Sequence, residues 1–494
     1  MIDSPIPNEF SNHQIAQKTA WGFIWNFSAY FLGKLVVLIT TSILARLLAK
    51  TDFGLVAVAV VAINYLSVLK DLGLGAALIQ RKGDINEAVN TVFTINILIG
   101  LILSAIALLI APLIAIYFKD PHVTAVLRWM GISFIINALG SVHTNWLVRD
   151  LDYRRKLIPD LGGSLAKGAL SIGMAYLGYG VWSLVFGQIA GAVVSTILVW
   201  IILPWRPHLT LDRRIAGALM KFGASVTVID IINEITDNID YVIVGRIFGL
   251  VPLSIYTLAY RLPEMLLIGN LWVMGGVVFP AFSNVQDRPN ELRRGFLASV
   301  RFVELIAVPV CLGLLIAADP IVRVVFGDQW LEAIPILRVL AVYAWVYSLG
   351  YHAGGFYKAI GRPDILLRLS IMTLIIIIPS LLIGAQFGII GVAIGHLVAI
   401  LIRRIISLAL ATRFVNVSIL DIFGELRSSF LAALVMGPIV FAVYQLTANL
   451  NPFLQLGLLV LSGAISYLGI LWWIERENFM RLLRMVDLSN ASVS

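Results

Sequence analysis

Cysteine is nearly absent: Cys311 stands alone among 494 residues, inside an apolar run. One thiol makes no intrachain disulfide framework and no thiolate metal site. Charge is scarce as well. Asp, Glu, Lys and Arg make up 13% of the chain, against about 25% in an ordinary soluble protein. With 60% hydrophobic residues, the chain has too little polar surface to meet water on every side. The six histidines, His13, His122, His143, His208, His352 and His396, are scattered. No two share the i, i+4 spacing of a zinc-binding helix, so no metal is expected. There is no G-x-x-x-x-G-K-[ST] motif. The nearest stretch, Gly162–Gly168, has the wrong spacing, and no nucleotide cofactor is expected. No Gly-x-Ser-x-Gly elbow occurs either. The net charge of +8 does not point to nucleic acid, because the basic residues sit in short loops between apolar runs. The first twenty residues are polar and lack the basic start of a signal peptide. The first apolar run is therefore expected to remain as an anchor.

What is present is long apolar runs. A bilayer core of about 30 Å takes about 20 apolar residues as helix. Fourteen runs meet that length, from Trp21–Leu48 to Pro452–Ile474. Barrel strands are about 10 residues long with alternating polarity, and these runs are neither. The expected fold class is an all-α polytopic membrane protein. Residues 1–20 form an N-terminal segment, 21–205 carry spans 1–6, 206–415 carry spans 7–12, 416–475 carry spans 13 and 14, and 476–494 form a tail.

Loop charge orients the chain. Only Arg46, Lys50, Lys119, Arg128, Arg246, Arg323 and Arg338 fall in loops opposite the N-terminus. Lys34, Lys70, Lys167 and Arg261 lie inside spans. The rest of the 36 basic residues share the N-terminal side. The positive-inside rule places that side, and both termini, in the cytoplasm. No loop is long enough for a soluble catalytic domain.

Spans 1–6 resemble spans 7–12. Tyr117–Asp120 (YFKD) precedes Leu127-Arg128, Leu139-Gly140 and the turn Gly178…Gly180-Val181. Val325–Asp328 (VFGD) precedes Leu337-Arg338, Leu349-Gly350 and Gly388…Gly391-Val392 in the same order and at nearly constant offset. Six spans is an even number, so both units enter the membrane in one direction. Parallel repeats of this kind suit a transporter that binds between its halves.

Some charges lie where lipid should be. Span 7 carries Asp230, Glu234 and Asp237 at i, i+4 and i+7, on one helical face. Facing lipid, each would cost roughly 2.5–3.5 kcal/mol. They are expected to face inward, with Asn233, Asn238 and Asp240 widening the polar side. Lys34 and Glu234 sit at matching places in the two repeats and are expected to line one cavity and pair across it. Arg261 and Glu264 flank Pro263, which should kink span 8. Lys70 and Asp71 end span 2, where a lysine can also snorkel to the interface. Clustered carboxylates repel, so Asp230, Glu234 and Asp237 are also the candidates for coupling to H⁺ or Na⁺.

Residues Ala45–Leu55 (ARLLAKTDFGL), Tyr256–Leu262 (YTLAYRL), Phe279–Gln286 (FPAFSNVQ) and Gly361-Arg362-Pro363 carry a resemblance. With them the chain resembles the polysaccharide-flippase branch of the multidrug/oligosaccharidyl-lipid/polysaccharide exporter superfamily. It looks most like Wzx-type exporters of colanic or teichuronic acid. The resemblance implies a V-shaped fold of two six-helix lobes with two extra helices. It implies flipping of an undecaprenyl-diphosphate-linked sugar unit from the cytoplasmic to the periplasmic leaflet. Lys34, Arg261 and Lys70 would then meet the diphosphate. The expected partners are the lipid-linked oligosaccharide, membrane lipid, a polymerase and a chain-length regulator. No covalent bond is made or broken. Two rival readings remain: an ion-coupled exporter of small organic cations in the same fold, favoured by the acids of span 7, and an integral-membrane glycosyltransferase or polymerase.

Overall fold

The computed structural model describes residues 12–71, 86–150, 152–271, 275, 282–415 and 417–491. Gly73, Gly75, the Arg81-Lys82 loop, the end of the second expected span and Phe279–Ala281 lie outside them. Every regular element among the described residues is helical. In chain order they are α1 (Asn12–Leu47), α2 (Lys50–Asp71), α3 (Asn86–Phe118), α4 (His122–Gly131), α5 (Ser133–Arg149), α6 (Tyr153–Tyr176), α7 (Val181–Ile202), α8 (Arg213–Phe248) and α9 (Leu250–Pro263). Then follow α10 (Pro289–Ile316), α11 (Ala318–Val325), α12 (Ala333–Ser348), α13 (His352–Ala359), α14 (Pro363–Ala385), α15 (Gly388–Val415), α16 (Ile419–Leu446) and α17 (Pro452–Ala491).

The burial pattern of α3 shows which solvent these helices meet. Ala107 and Ala111 are fully covered, whereas Leu109, Leu113 and Ile116 are 76%, 65% and 74% exposed. Small residues face neighbouring helices and large aliphatic ones face outward. That inverts the soluble pattern and fits helices packed within lipid. Eleven spans among the described residues are long and apolar enough to cross a membrane, counting α4 with α5 and α12 with α13 as one each. Helices α6, α8 and α9 take the places of three further expected runs but fall short of that test. Arg154, Arg155, Lys156 and Lys167 lie on α6, four acids lie within Asp230–Asp240 on α8, and α9 has only 14 residues. Among the described residues, length and composition alone support eleven of the fourteen expected spans.

The chain divides into two compact units. One comprises the described residues up to Asn238 with Gly249–Val251, and the other comprises Ile239–Phe248 with the described residues from Pro252 onward. The division falls inside α8.

Within each unit a tight helical hairpin is closed by glycine. In the first, α6 and α7 turn through Gly178 and Gly180 at φ +82° and +54°. Gly163 and Gly191 let the two backbones approach: a Cβ on either would sit 2.9 Å from the other's carbonyl oxygen. In the second unit α14 and α15 turn at Gly388, φ +81°, and Gly384 and Gly391 meet backbone to backbone. The two turns differ in one respect. Gly180 caps α7, whereas Gly391, expected to match it, lies inside α15 as a packing glycine.

The YFKD and VFGD segments each turn at their third residue through a positive φ. Lys119 has φ +61°, alone among the described non-glycine residues, and Gly327 has φ +96°. Lys119 ends α3 in a Schellman turn. Its N–H donates to Ile116 O at 3.3 Å and that of Asp120 to Ala115 O at 3.1 Å.

Two spans each consist of two helices. In the first unit α4 passes into α5 through Ile132, which keeps helical dihedrals of φ −60° and ψ −27°. The second breaks between α12 and α13 at Leu349–Tyr351, where Gly350 takes φ +72°. Pro263 does more than kink its helix: α9 ends there and widens into a π-helical turn over Glu264–Ile268.

Candidate functional site

Polar side chains inside the apolar helices gather in three places, each within one unit.

The first is on α8 of the first unit. Asp230 and Asp237 are exposed, Glu234 is half-buried, and Thr236 and Asn238 are buried. The acids at i and i+7 thus share an accessible face, and the covered face carries uncharged groups. Asn238 Nδ2 donates to Glu234 Oε1 at 2.7 Å and to Glu234 O at 3.1 Å. Asn64 Nδ2 on α2 reaches Asn238 Oδ1 at 3.5 Å. A short amide relay therefore joins α2 to the Glu234 carboxylate. Lys34 is half-buried on α1, its ammonium 5.3 Å from the Tyr30 ring centroid. That spacing allows a cation–π contact.

The second place is a cavity of about 160 Å³ in the same unit, between the end of α2, α5 and α7. Lys70 lines it with Asn137, Asn145, Ser141, Thr144 and Ser195. Most of its wall can form hydrogen bonds, which is unusual between apolar helices. Lys70 thus faces amides and hydroxyls from neighbouring helices. Lys167, also within a span, donates instead to Gln188 across the α6–α7 hairpin.

The third place lies in the second unit, and the sequence reading did not single it out. Asp240, on α8, has no exposed surface. Tyr256 donates its O–H to Asp240 Oδ2 at 2.9 Å. His396 Nδ1, on α15, stands 3.1 Å from the same oxygen. Asp240 Oδ1 finds no hydrogen bond among the described residues. Aromatic rings enclose the pair. Tyr343 on α12 packs against His396 with centroids 4.4 Å apart. Tyr260 meets Tyr343 through their hydroxyls at 3.5 Å. Tyr241 completes the enclosure against Tyr256 and Tyr260. From Tyr343 a tyrosine ladder, Tyr347 and Tyr351, follows the i, i+4 spacing to the break after α12. The Arg404 guanidinium lies 4.5 Å over the Tyr347 ring.

Arg261 and Glu264 belong to this unit. Both are half-buried, one on either side of Pro263, and both act electrostatically on Tyr241. The predicted site residues therefore fall in two groups: Lys34, Lys70, Asp230, Glu234 and Asp237 in the first unit, Arg261 and Glu264 in the second. The signal for the third place was available in the sequence. Tyr256 and Tyr260, and then Tyr343, Tyr347 and Tyr351, put hydroxyls on single faces of apolar helices. Among the described residues no three His, Cys, Asp or Glu side chains converge as a metal ion would require.

Comparison with known proteins agrees with this architecture. Residues 43–335 match the family model described as "Polysaccharide biosynthesis protein". The lipopolysaccharide biosynthesis protein WzxC of Escherichia coli K12 is 26% identical over 400 residues, 80% of either chain. The teichuronic acid biosynthesis protein TuaB of Bacillus subtilis 168 is 27% identical over 431 residues, 86% of this chain and 89% of the relative. Among solved structures, the lipid II flippase MurJ in an inward closed conformation is similar with a TM-score of 0.74 at 17% identity. It is matched over its full length by 92% of this chain. An inward-facing multidrug resistance MATE family transporter is similar with a TM-score of 0.59 at 16% identity, over 80% of this chain and 98% of that one. At such identities the likeness is one of fold.

Proposed function

The chain belongs to the polysaccharide biosynthesis protein family, and from that membership we propose that it is a flippase for a lipid-linked oligosaccharide. Its cargo is a sugar repeat unit on undecaprenyl diphosphate, carried from the cytoplasmic to the periplasmic leaflet of the bacterial inner membrane by alternating access. Both termini lie in the cytoplasm. A polymerase and a chain-length regulator then consume the flipped unit. The observation that carries this reading is the family match across 43–335, extended over most of the chain by relatives named for polysaccharide biosynthesis.

Physical chemistry supports it. The cargo has a polar head that lipid excludes and a tail that lipid keeps. A protein that moves only the head needs charge and hydrogen-bonding groups inside a helical shell. Lys34 and Arg261 offer cations to a diphosphate, and the Lys70 cavity offers amides and hydroxyls to sugar. Asp230 and Asp237 are exposed on α8. Contact with lipid would cost each roughly 2.5–3.5 kcal/mol, so the surface they face is wet.

The test uses lipid extracts and membrane vesicles from a deletion strain. One completed diphosphate-linked repeat unit should accumulate on the cytoplasmic leaflet while surface polysaccharide is lost. An unchanged surface with no lipid-linked sugar would refute the reading. The exposed acids of α8 favour one rival, export of small organic cations. Under that rival, loss of the chain sensitises cells to cationic toxins and leaves surface polysaccharide intact.

A further inference from the structure

Glu304, on α10 of the second unit, is only 1% exposed. It has two partners, both on α12 and both uncharged. Trp345 donates Nε1–H to its Oε2 at 3.0 Å. Ser348 Oγ lies 2.8 Å from its Oε1. The same Ser348 Oγ lies 2.6 Å from the carbonyl oxygen of Trp345.

Counting hydrogens settles who donates. A carbonyl oxygen has none, and a serine hydroxyl has one. The Ser348 hydrogen therefore goes to the shorter contact, Trp345 O. The 2.8 Å contact between Ser348 Oγ and Glu304 Oε1 then needs a hydrogen of its own, and only the carboxyl can supply it. Glu304 is a neutral acid in this conformation, donating through Oε1 and accepting at Oε2.

The surrounding charges agree. Arg301, one turn earlier on α10, is held by Glu475 on α17 and by Glu425 on α16 at 3.7 Å. Its charge is already matched by two carboxylates. Cys311 on α10 and Tyr467 on α17 lie within electrostatic reach, and both are neutral. Tyr467 gives its own hydrogen to Leu305 O at 2.9 Å. No described cation faces this carboxyl.

The acceptor's position supplies the function. Ser348 is the last residue of α12. Leu349 leaves the helix at ψ 117° and Gly350 turns it at φ +72°. If Glu304 lost its proton, lone pair would face lone pair at Oε1. Ser348 would have to swing its hydrogen to Glu304 and leave the Trp345 carbonyl to the Leu349 N–H alone, at 3.2 Å. A buried anion would remain with no cation beside it, which is strongly unfavourable. Proton loss therefore takes a hydrogen bond from the last turn of α12, next to the α12–α13 break.

We propose that Glu304 is a proton-binding site of the transport cycle, loaded in this conformation and unloaded when the break between α12 and α13 rearranges. The cycle itself rests on the flippase reading, but the bound proton does not, and the experiment separates them. Infrared spectra of the purified, reconstituted chain at neutral pH should show the carbonyl stretch of a buried protonated carboxyl. Glu304→Gln should remove it, and Ser348→Ala, which deletes its acceptor, should shift it. A spectrum identical in the wild type and both variants would overturn the site. In vesicles loaded with a fluorescent diphosphate-linked lipid, a one-unit pH gradient should change wild-type flipping by up to about tenfold for one proton carried. Glu304→Gln should flip at one rate with or without the gradient. Wild-type flipping indifferent to the gradient would overturn the coupling. A shifting carbonyl band in a chain that flips no such lipid would keep the proton site and refute the cargo.

Discussion

His396 Nδ1 stands 3.1 Å from Asp240 Oδ2, and the two side chains are 4% and 0% exposed. Removing one member of a buried polar pair leaves the other unsatisfied, at a cost of about 1–3 kcal/mol. His396→Leu should therefore lower the thermal unfolding midpoint of the detergent-solubilised chain sharply. Adding Asp240→Asn to it should restore much of the loss. Equal and additive losses would show that the two residues do not depend on each other.

Lys34 and Glu234 are the residues whose loss should stop flipping without removing the protein from the membrane. Lys34→Ala and Glu234→Ala should each abolish surface polysaccharide at unchanged protein level. Glu234→Gln keeps an acceptor for the Asn238 amide, now 2.7 Å from Oε1. A Gln variant as inactive as Ala would assign the role to charge, and an active one would assign it to the hydrogen bond. Normal polysaccharide in both alanine variants would remove the pair from the transport path.

Lys119 occupies a left-handed backbone region that glycine enters freely, and Gly327, at the matching position of the second unit, takes φ +96° and ψ 168°, a different region that essentially only glycine enters. Lys119→Gly should stabilise by a net of about 0.5–1 kcal/mol, since relief of the left-handed strain exceeds the entropy that glycine adds to the unfolded chain. Gly327→Ala should destabilise by roughly 1–3 kcal/mol. Chemical denaturation in detergent reads both signs.

Gly391→Ala places a methyl group against the backbone of Gly384. Overpacking of this kind costs about 1–3 kcal/mol. The loss should appear as faster proteolysis of the α14–α15 hairpin, with the first unit unaffected.

Legibility followed the range of the interaction. The spans were readable because each is a local run of apolar residues. The repeat was readable because Lys119 and Gly327 sit in matched four-residue words, and the structure gives both a positive φ. The acids of α8 were readable as a periodic face, but not the covered side of that helix. There Asp240 looked like one more polar residue, and His396 like one of six scattered histidines. Their pairing is made by packing α8 against α15, which no local pattern encodes. Glu304 stayed silent for a related reason. A single acid in an apolar run says nothing of its protonation until the hydroxyl and carbonyl that share its hydrogens are in place. Three helices failed the apolar test because α6 and α8 carry charge and α9 is cut short at Pro263.

The glycine contacts within the two hairpins have a mechanical consequence. Where Gly163 meets Gly191, and Gly384 meets Gly391, two helices lie backbone against backbone with no side chain between them to deform. Each hairpin is a doubled beam, stiffer than either helix alone. Bending during a transport cycle should fall where the chain is single and its helical ladder is interrupted, as at Gly350 and at the π-helical turn after Pro263. Bracing the beams further should leave turnover unchanged, whereas splinting either interruption should stop it.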